Sequence, residues 1–232
     1  MTILQTLHEK ADLQPEQHGN DSLIGYWNQT WCTCTPPSGA NAGIAFSGWA
    51  DTTQALLSSN PVAAQLQGTP YICFGGGNSN GAFTPEVLEE INSAIQSGQC
   101  TAFKGIAYDV EEGDSGLESA FAQSFAIAKA AGLKVLVTVS HSAPYGITDA
   151  ASLMQSFFAN EDIDYLSPQL YTTGTESENN WETSAGVTWD EYATAKAAIV
   201  PSIVYASYYA NAQETFASYG VTTGGYVVWN CY

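Results

Sequence analysis

Two acidic side chains, placed two residues apart at the end of an apolar run, carry the most specific chemical signal in this chain. In the tract 103–112 (FKGIAYDVEE), two-residue periodicity puts Ala107, Asp109 and Glu111 on one face of a strand and Ile106, Tyr108 and Val110 on the other. Burying two carboxylates at adjacent same-face positions is unfavourable unless they share a proton or find donors. Repulsion and burial together raise one of the two pKa values. The product is a carboxylic acid near neutral pH, which is what a general acid in glycoside cleavage requires. The plainer alternative is a pair of solvated residues at the start of a loop. Glu112 has the opposite parity and is expected on the surface.

Other strand-like runs end in residues suited to a neutral, hydroxylated ligand. They are Gly25-Tyr26-Trp27-Asn28-Gln29, Phe74-Gly75-Gly76-Gly77-Asn78, Ser167-Pro168-Gln169-Leu170-Tyr171 and the tract ending at Trp229. Aromatic rings cover the apolar faces of pyranoses, while Gln, Asn and Tyr meet hydroxyls and amides. Phe46, near the end of the second run, is a further candidate. Taken singly, each aromatic is as well explained by a core. Their convergence with a carboxylate pair at one rim makes a site hypothesis. His141 and Glu176-Ser177-Glu178 either line the same cleft or are solvated loop residues.

Convergence needs a scaffold, and the patterning supplies one. Short β-branched or aromatic runs lie at 23–27, 43–48, 69–74, 103–110, 134–140, 163–171, 198–206 and 225–229. Helical stretches fall between them at 52–66, 85–98, 117–131, 149–159, 189–196 and 212–219. Thr84-Pro85 reads as an N-cap followed by a first-turn proline, and Gly98 and Gly132 as helix stops. Phe121, Phe125 and Ala128 share one helical face. Strands alternating with helices imply parallel strands with helical crossovers. Eight such strands predict a lean (β/α)8 TIM barrel of the α/β class, with its site at the carboxyl ends of the strands. Residues 28–41 do not read as a first helix, and no helix follows the last strand. Residues 1–20 are expected to be an N-terminal extension to a single barrel domain spanning 21–232. In that extension the amphipathic stretch 2–12 would pack where the last helix is missing. An open doubly wound sheet is the other architecture, but no Gly-rich phosphate turn supports it.

Composition narrows the ligand. The 232 residues hold 23 Asp and Glu against five Lys and no Arg, a net charge of −18. Nucleic acid, phosphate groups and anionic membrane surfaces all call for cations, so none is expected as a partner. Polarity resides in Gly, Ser, Thr, Asn and Tyr, which favours a ligand such as a sugar. The five cysteines are an odd number in a long chain and do not form a disulfide scaffold; buried or partly paired cysteines are expected. No metal or cofactor site is apparent, and a monomer is expected. The composition resembles that of a secreted protein, whereas the first 17 residues lack the apolar core of a signal peptide; the compartment stays open, and is cytoplasmic if Met1 is native.

These motifs resemble the family 18 glycoside hydrolases, in particular the plant and fungal class III chitinases of hevamine type. The fourth-strand signature D-x-x-D-x-D-x-E is matched by Asp109 and Glu111, with Gly105 also fitting. Tyr26-Trp27-Asn28-Gln29 resembles the first-strand motif and Cys73-Phe74-Gly75-Gly76 the third. Gln169-Leu170-Tyr171 resembles the sixth and 224–229 (GGYVVW) the last. The resemblance implies hydrolysis of β-1,4-linked N-acetylglucosamine glycans by a retaining mechanism in which the substrate's own acetamide is the nucleophile. Glu111 would be the acid, Asp109 would orient the acetamide and Tyr171 would hydrogen-bond it. Tyr26, Phe46, Gly75, Gly76, Gln169 and Trp229 would bind substrate.

Lys104 and Ala107 stand where the first two signature acids belong. Without an acid at 107, Asp109 is expected to ionise more easily and to keep Glu111 protonated. Restoring it with Asp is expected to raise the rate if donors surround the site. An N-glycan endo-β-N-acetylglucosaminidase and a lectin that only binds the glycan remain as alternatives. The acid at Glu111 favours an enzyme; Ala107 and the short chain favour a binder.

Overall fold

The computed structural model describes residues 22–230. Nine strands form one parallel sheet: β1 (Leu23–Gln29), β2 (Ala42–Phe46), β3 (Thr69–Gly75), β4 (Gly105–Val110), β5 (Lys134–Ser140), β6 (Tyr165–Gln169), β7 (Ala198–Ile199), β8 (Ser202–Ile203) and β9 (Gly225–Val228). The order runs β1 to β6, and β8 then joins β6 to β9, which pairs with β1. The sheet is therefore a closed barrel, with β7 and β8 sharing one of its eight places. The expected (β/α)8 fold is what forms.

Helices α1 (Thr52–Ser59), α2 (Pro85–Gln96), α3 (Glu118–Ala130), α4 (Ala150–Ala159) and α5 (Tyr209–Ser218) pack outside. The β1–β2 connection holds no helix, as its Pro and Gly content implies. No helix follows β9 among the described residues. The expected packing of residues 2–12 lies outside them.

Local chemistry explains the ends of the elements. The Thr84 hydroxyl accepts the Val87 N–H at 3.2 Å and caps α2 ahead of Pro85. Two long elements break where proline removes a donor. The helical stretch from Thr52 becomes a 3-10 turn at Asn60–Gln65, which contains Pro61. The expected strand 198–206 splits into β7 and β8 around Pro201. The stretch at Trp189–Thr194 is likewise a 3-10 turn, closed by a Thr188–Glu191 capping box.

Strand parity separates two cores. Ile106, Tyr108 and Val110 face outward with Phe121, Phe125 and Ala128 of α3, and the Tyr108 hydroxyl meets Ser124 Oγ at 2.9 Å. The barrel interior is filled by Trp27, Ile44, Tyr71, Cys73, Ala107, Leu136 and Val227. Among the described residues the cations are segregated. Lys104, Lys129, Lys134 and Lys196 all lie where helices or loops enter strands, at the amino end of the barrel. There Asp164 accepts Lys129 Nζ at 2.8 Å, Lys134 Nζ at 3.1 Å and the Val135 N–H at 2.8 Å.

Candidate active site

Register places the acids. Gly75, Asp109 and Thr138 are ladder partners across β3, β4 and β5, at the carboxyl end of the barrel. One step higher, Gln169 on β6 pairs with Ser140. The Gln169 amide nitrogen lies 3.1 Å from Asp109 Oδ1, 3.1 Å from Glu111 Oε1 and 3.4 Å from Thr138 Oγ1. Its two hydrogens therefore bridge the acids, with Thr138 the weaker partner. Asp109 and Glu111 are thus joined through this shared donor, and each feels the other's carboxyl. Glu111 further accepts the N–H of Gly77, whose bare Cα lets the carboxylate approach: a Cβ there would stand 2.7 Å from Glu111 Oε2. Gly75 has φ +97°, and a Cβ on it would meet the Asp109 carbonyl oxygen at 2.3 Å, so the β3 turn needs glycine. Gly76 lies beside Phe46 in the same turn.

Asp109 is 3% exposed. Burial, then the Glu111 charge and its hydrogen bond, hold its carboxyl well above the usual range; the Gln169 amide offsets part of this. Burial also raises Glu111, against the hydrogen bonds from Asp109, Gln169 and Gly77. The expectation that Asp109 ionises readily is thus reversed. Losing the acid at 107 removes a like charge, but full burial without a cation outweighs that gain. Ala107 itself is sealed among apolar residues, with Cys73 and Leu136 as ladder partners. No charged donor faces it that would accommodate an Asp.

Aromatic rings wall a cleft of about 300 Å³ around the pair. Trp229 lies 5.7 Å from the Tyr171 ring and 5.4 Å, edge-on, from Phe46. Trp31, 62% exposed, extends this wall at 5.8 Å from Phe46. Gly77, Asn78, Thr172 and Thr173 complete the lining. Trp27 Nε1 donates to Ser202 Oγ at 2.7 Å, and Ser202 Oγ lies 3.2 Å from the Tyr171 hydroxyl. The indole can only donate, so the serine proton is available to the phenol oxygen. With the serine as donor, the Tyr171 O–H turns into the cleft; with the phenol as donor, it stays on Ser202.

Glu111, Asp109, Tyr171, Phe46, Gln169 and Trp229 thus come together, with Gly75 and Gly76 shaping one wall. Tyr26 does not join them. Its hydroxyl accepts the Gln67 N–H at 2.7 Å outside the barrel, packed with Ala40 and Val228. Alternation along β1 turns Trp27, the next residue, inward instead. The sequence reasoning missed Trp31, Thr138, Ser202, Thr172 and Thr173. Trp31, Thr172 and Thr173 sit in loops without periodicity. Thr138 was open to discovery as an inward polar residue on a strand. Glu112 lies on the rim, where its carboxylate accepts the hydroxyl of the exposed Tyr145. Cys34 is disulfide-bonded, while Cys73 and Cys100 are buried thiols.

No protein-family model matches the chain, and no curated protein matches it. Among solved structures it is similar to a chitinase from Chromobacterium violaceum ATCC 12472, with TM-score 0.48 and 15% identity over 78% of this chain and 68% of that one. It is similar to the spore cortex-lytic enzyme SleL of Bacillus megaterium QM B1551, with TM-score 0.48 and 14% identity over 78% of this chain and 50% of that one. A class V chitinase from Pseudomonas fluorescens Pf-5 gives TM-score 0.47 and 13% identity over 77% and 68%. At these identities the likeness is one of backbone architecture.

Proposed function

We propose that the chain is a glycoside hydrolase acting on β-1,4-linked N-acetylglucosamine glycans, with the substrate's acetamide as nucleophile. The observation that carries the reading is the pairing of Asp109 and Glu111 on one donor, the Gln169 amide nitrogen, which lies 3.1 Å from an oxygen of each. Paired carboxylates that supply both acid and nucleophile stand about 5–5.5 Å apart, and those that activate a water between them about 6.5–9.5 Å. Two oxygens that share one nitrogen at 3.1 Å each leave little room for a water between the acids. In this reading the pair works as one acid and its regulator, and the attacking oxygen comes from the substrate.

In this reading Glu111, whose carboxyl burial pushes above its ordinary range, gives its proton to the glycosidic oxygen. The acetamide carbonyl attacks the anomeric carbon, and the bond to the leaving sugar breaks. Asp109, raised but within reach of Glu111, takes the acetamide N–H and balances the oxazolinium charge. The Tyr171 O–H meets the acetamide oxygen, and Trp229 floors the sugar. Water then opens the oxazolinium from the face the leaving group vacated, with Glu111 as base, so the β anomer is retained.

Proton NMR of the first product from chitotetraose tests this. A β-anomeric product is expected, together with inertness of oligomers lacking the N-acetyl group; an α-anomeric first product would overturn the scheme. The same chemistry serves an endo-β-N-acetylglucosaminidase, so a glycopeptide assayed in parallel, read by product mass, assigns the substrate. A binding-only protein is the second reading. It is favoured by the apolar seal at Ala107, which leaves Asp109 no deeper partner.

A further inference from the structure

The loop after β6 closes on its own carboxylate. Glu176 Oε1 accepts the N–H groups of Thr172 at 2.7 Å and Thr173 at 2.6 Å. Glu176 Oε2 accepts those of Gly174 at 2.8 Å and Thr175 at 2.9 Å. The Thr173 hydroxyl adds a contact at 3.1 Å to Oε1. Four successive amides aimed at one point form a nest that binds anions, and here the occupant is built into the chain. Burial alone would raise this acid, but the Thr173 and Thr172 amides override it and hold it at about 2.

The clasped segment is also a wall of the cleft. Thr172 and Thr173 line the cleft beside Tyr171 and Trp229. Gly174, at φ +80°, rests against the Trp229 indole so closely that a Cβ would lie 2.0 Å from its Nε1. The Tyr208 hydroxyl holds the Glu176 carbonyl from behind at 3.3 Å. Thr172 Oγ1 is further tied to Asn180 Nδ2 and His141 Nε2, each at 3.3 Å.

We propose that Glu176 is a positioning residue: its carboxylate gathers the amides of residues 172–175 and so sets the backbone that buttresses Trp229, fixing the sugar platform beside Asp109 and Glu111. The inference rests on the glycan reading of the cleft, and it makes Glu176 act through Trp229 rather than on substrate. Its contribution is therefore to binding more than to the chemical step.

The test is Glu176→Gln, which keeps the size but turns an amino group toward two N–H donors. With chito-oligosaccharide substrate, KM is expected to rise about tenfold while kcat stays within about threefold. In 5-fluorotryptophan-labelled protein, the ¹⁹F resonance assigned to Trp229 by Trp229→Phe is expected to shift or broaden. Thr173→Val, which removes the hydroxyl's contacts to Glu176 and Thr175 but leaves the four amides on the carboxylate, should move both readouts the same way by less. An unchanged KM, with kcat reduced only in proportion to the folded fraction, would overturn the proposal, and so would an unmoved Trp229 resonance. If the wild-type protein neither cleaves nor binds chito-oligosaccharides, the glycan reading has failed. The ¹⁹F comparison then decides the clasp by itself, since it needs no ligand.

Discussion

The two ends of the barrel treat a buried carboxylate in opposite ways. At the amino end, Asp164 sits between Lys129 and Lys134 and accepts the Val135 amide. Burial would raise its pKa, but these donors lower it. At the carboxyl end, Asp109 and Glu111 have each other, one glutamine amide and the Gly77 N–H, and both are raised. All three ion pairs among the described residues lie at the amino end. The same functional group is thus held as an anion beside the described lysines and, in the proposed reading, serves as a proton carrier at the end without them. Stability and chemistry are separated along one axis.

The sharpest way to break this contrast is to remove the proton carrier. Glu111→Gln should lower turnover by about two to four orders of magnitude with binding near normal, read by reducing-sugar release and calorimetry. Wild-type-like hydrolysis would shift the acid role to Glu112.

Next comes a charge forced into the upper barrel. Ala107→Asp should lower the thermal midpoint, a loss of about 2–4 kcal/mol, because the new acid meets Cys73 and Leu136 rather than donors. Turnover that rises despite the lower midpoint would show that the missing acid limits catalysis. A lower midpoint with no gain in turnover counts for the binder.

At the other end, Asp164→Ala should cost about 1–3 kcal/mol of stability by leaving two ammonium groups and an amide without their acceptor. It should leave kcat and KM unchanged. A change in turnover without loss of stability would contradict the separation.

The pH profile sharpens the comparison further. A carboxyl raised in the folded state binds its proton more tightly there than in the unfolded chain. The Asp109–Glu111 pair therefore favours folding at low pH, and that contribution is lost as pH rises through the folded constants. Asp164 and Glu176 are lowered, so theirs is present above the ordinary carboxylate range and lost as pH falls through the folded constants, about 2 for Glu176. The thermal midpoint should peak in mildly acid solution, and Asp109→Asn should flatten the alkaline decline. An identical alkaline slope in the variant would assign that decline to the net charge of −18 instead.

The smallest effect belongs to Trp31. Trp31→Ala should weaken long oligomers by roughly threefold and short ones less, since an exposed indole offers one stacking face. Equal losses at all chain lengths would place Trp31 in the cleft's structure rather than on the path of the polymer.

How much of this was legible beforehand depended on periodicity. On β4, apolar residues alternate with carboxylates, so parity could be read and Asp109 and Glu111 located without coordinates. On β1, Tyr26 and Trp27 are both aromatic and both buried, so hydrophobicity does not say which one faces inward; the motif suggested Tyr26, and the pleat chose Trp27. The barrel was visible because each strand and helix announces its period. The interruptions at Pro61 and Pro201 were visible only as residues, since a missing donor has consequences set by its neighbours. The clasp around Glu176 left no pattern at all. Four backbone amides supply it, and backbone groups have no letters.

The segregation of lysines has a practical consequence. Within the described chain, amine-reactive chemistry meets ammonium groups only at the end of the barrel opposite the cleft. Attachment to an activated support through these groups would tether the molecule by its base and point Trp31, Trp229 and the acid pair at the solution. Trypsin, given no arginine, would cut the described chain at that same base, leaving the loops of the rim whole on their strands.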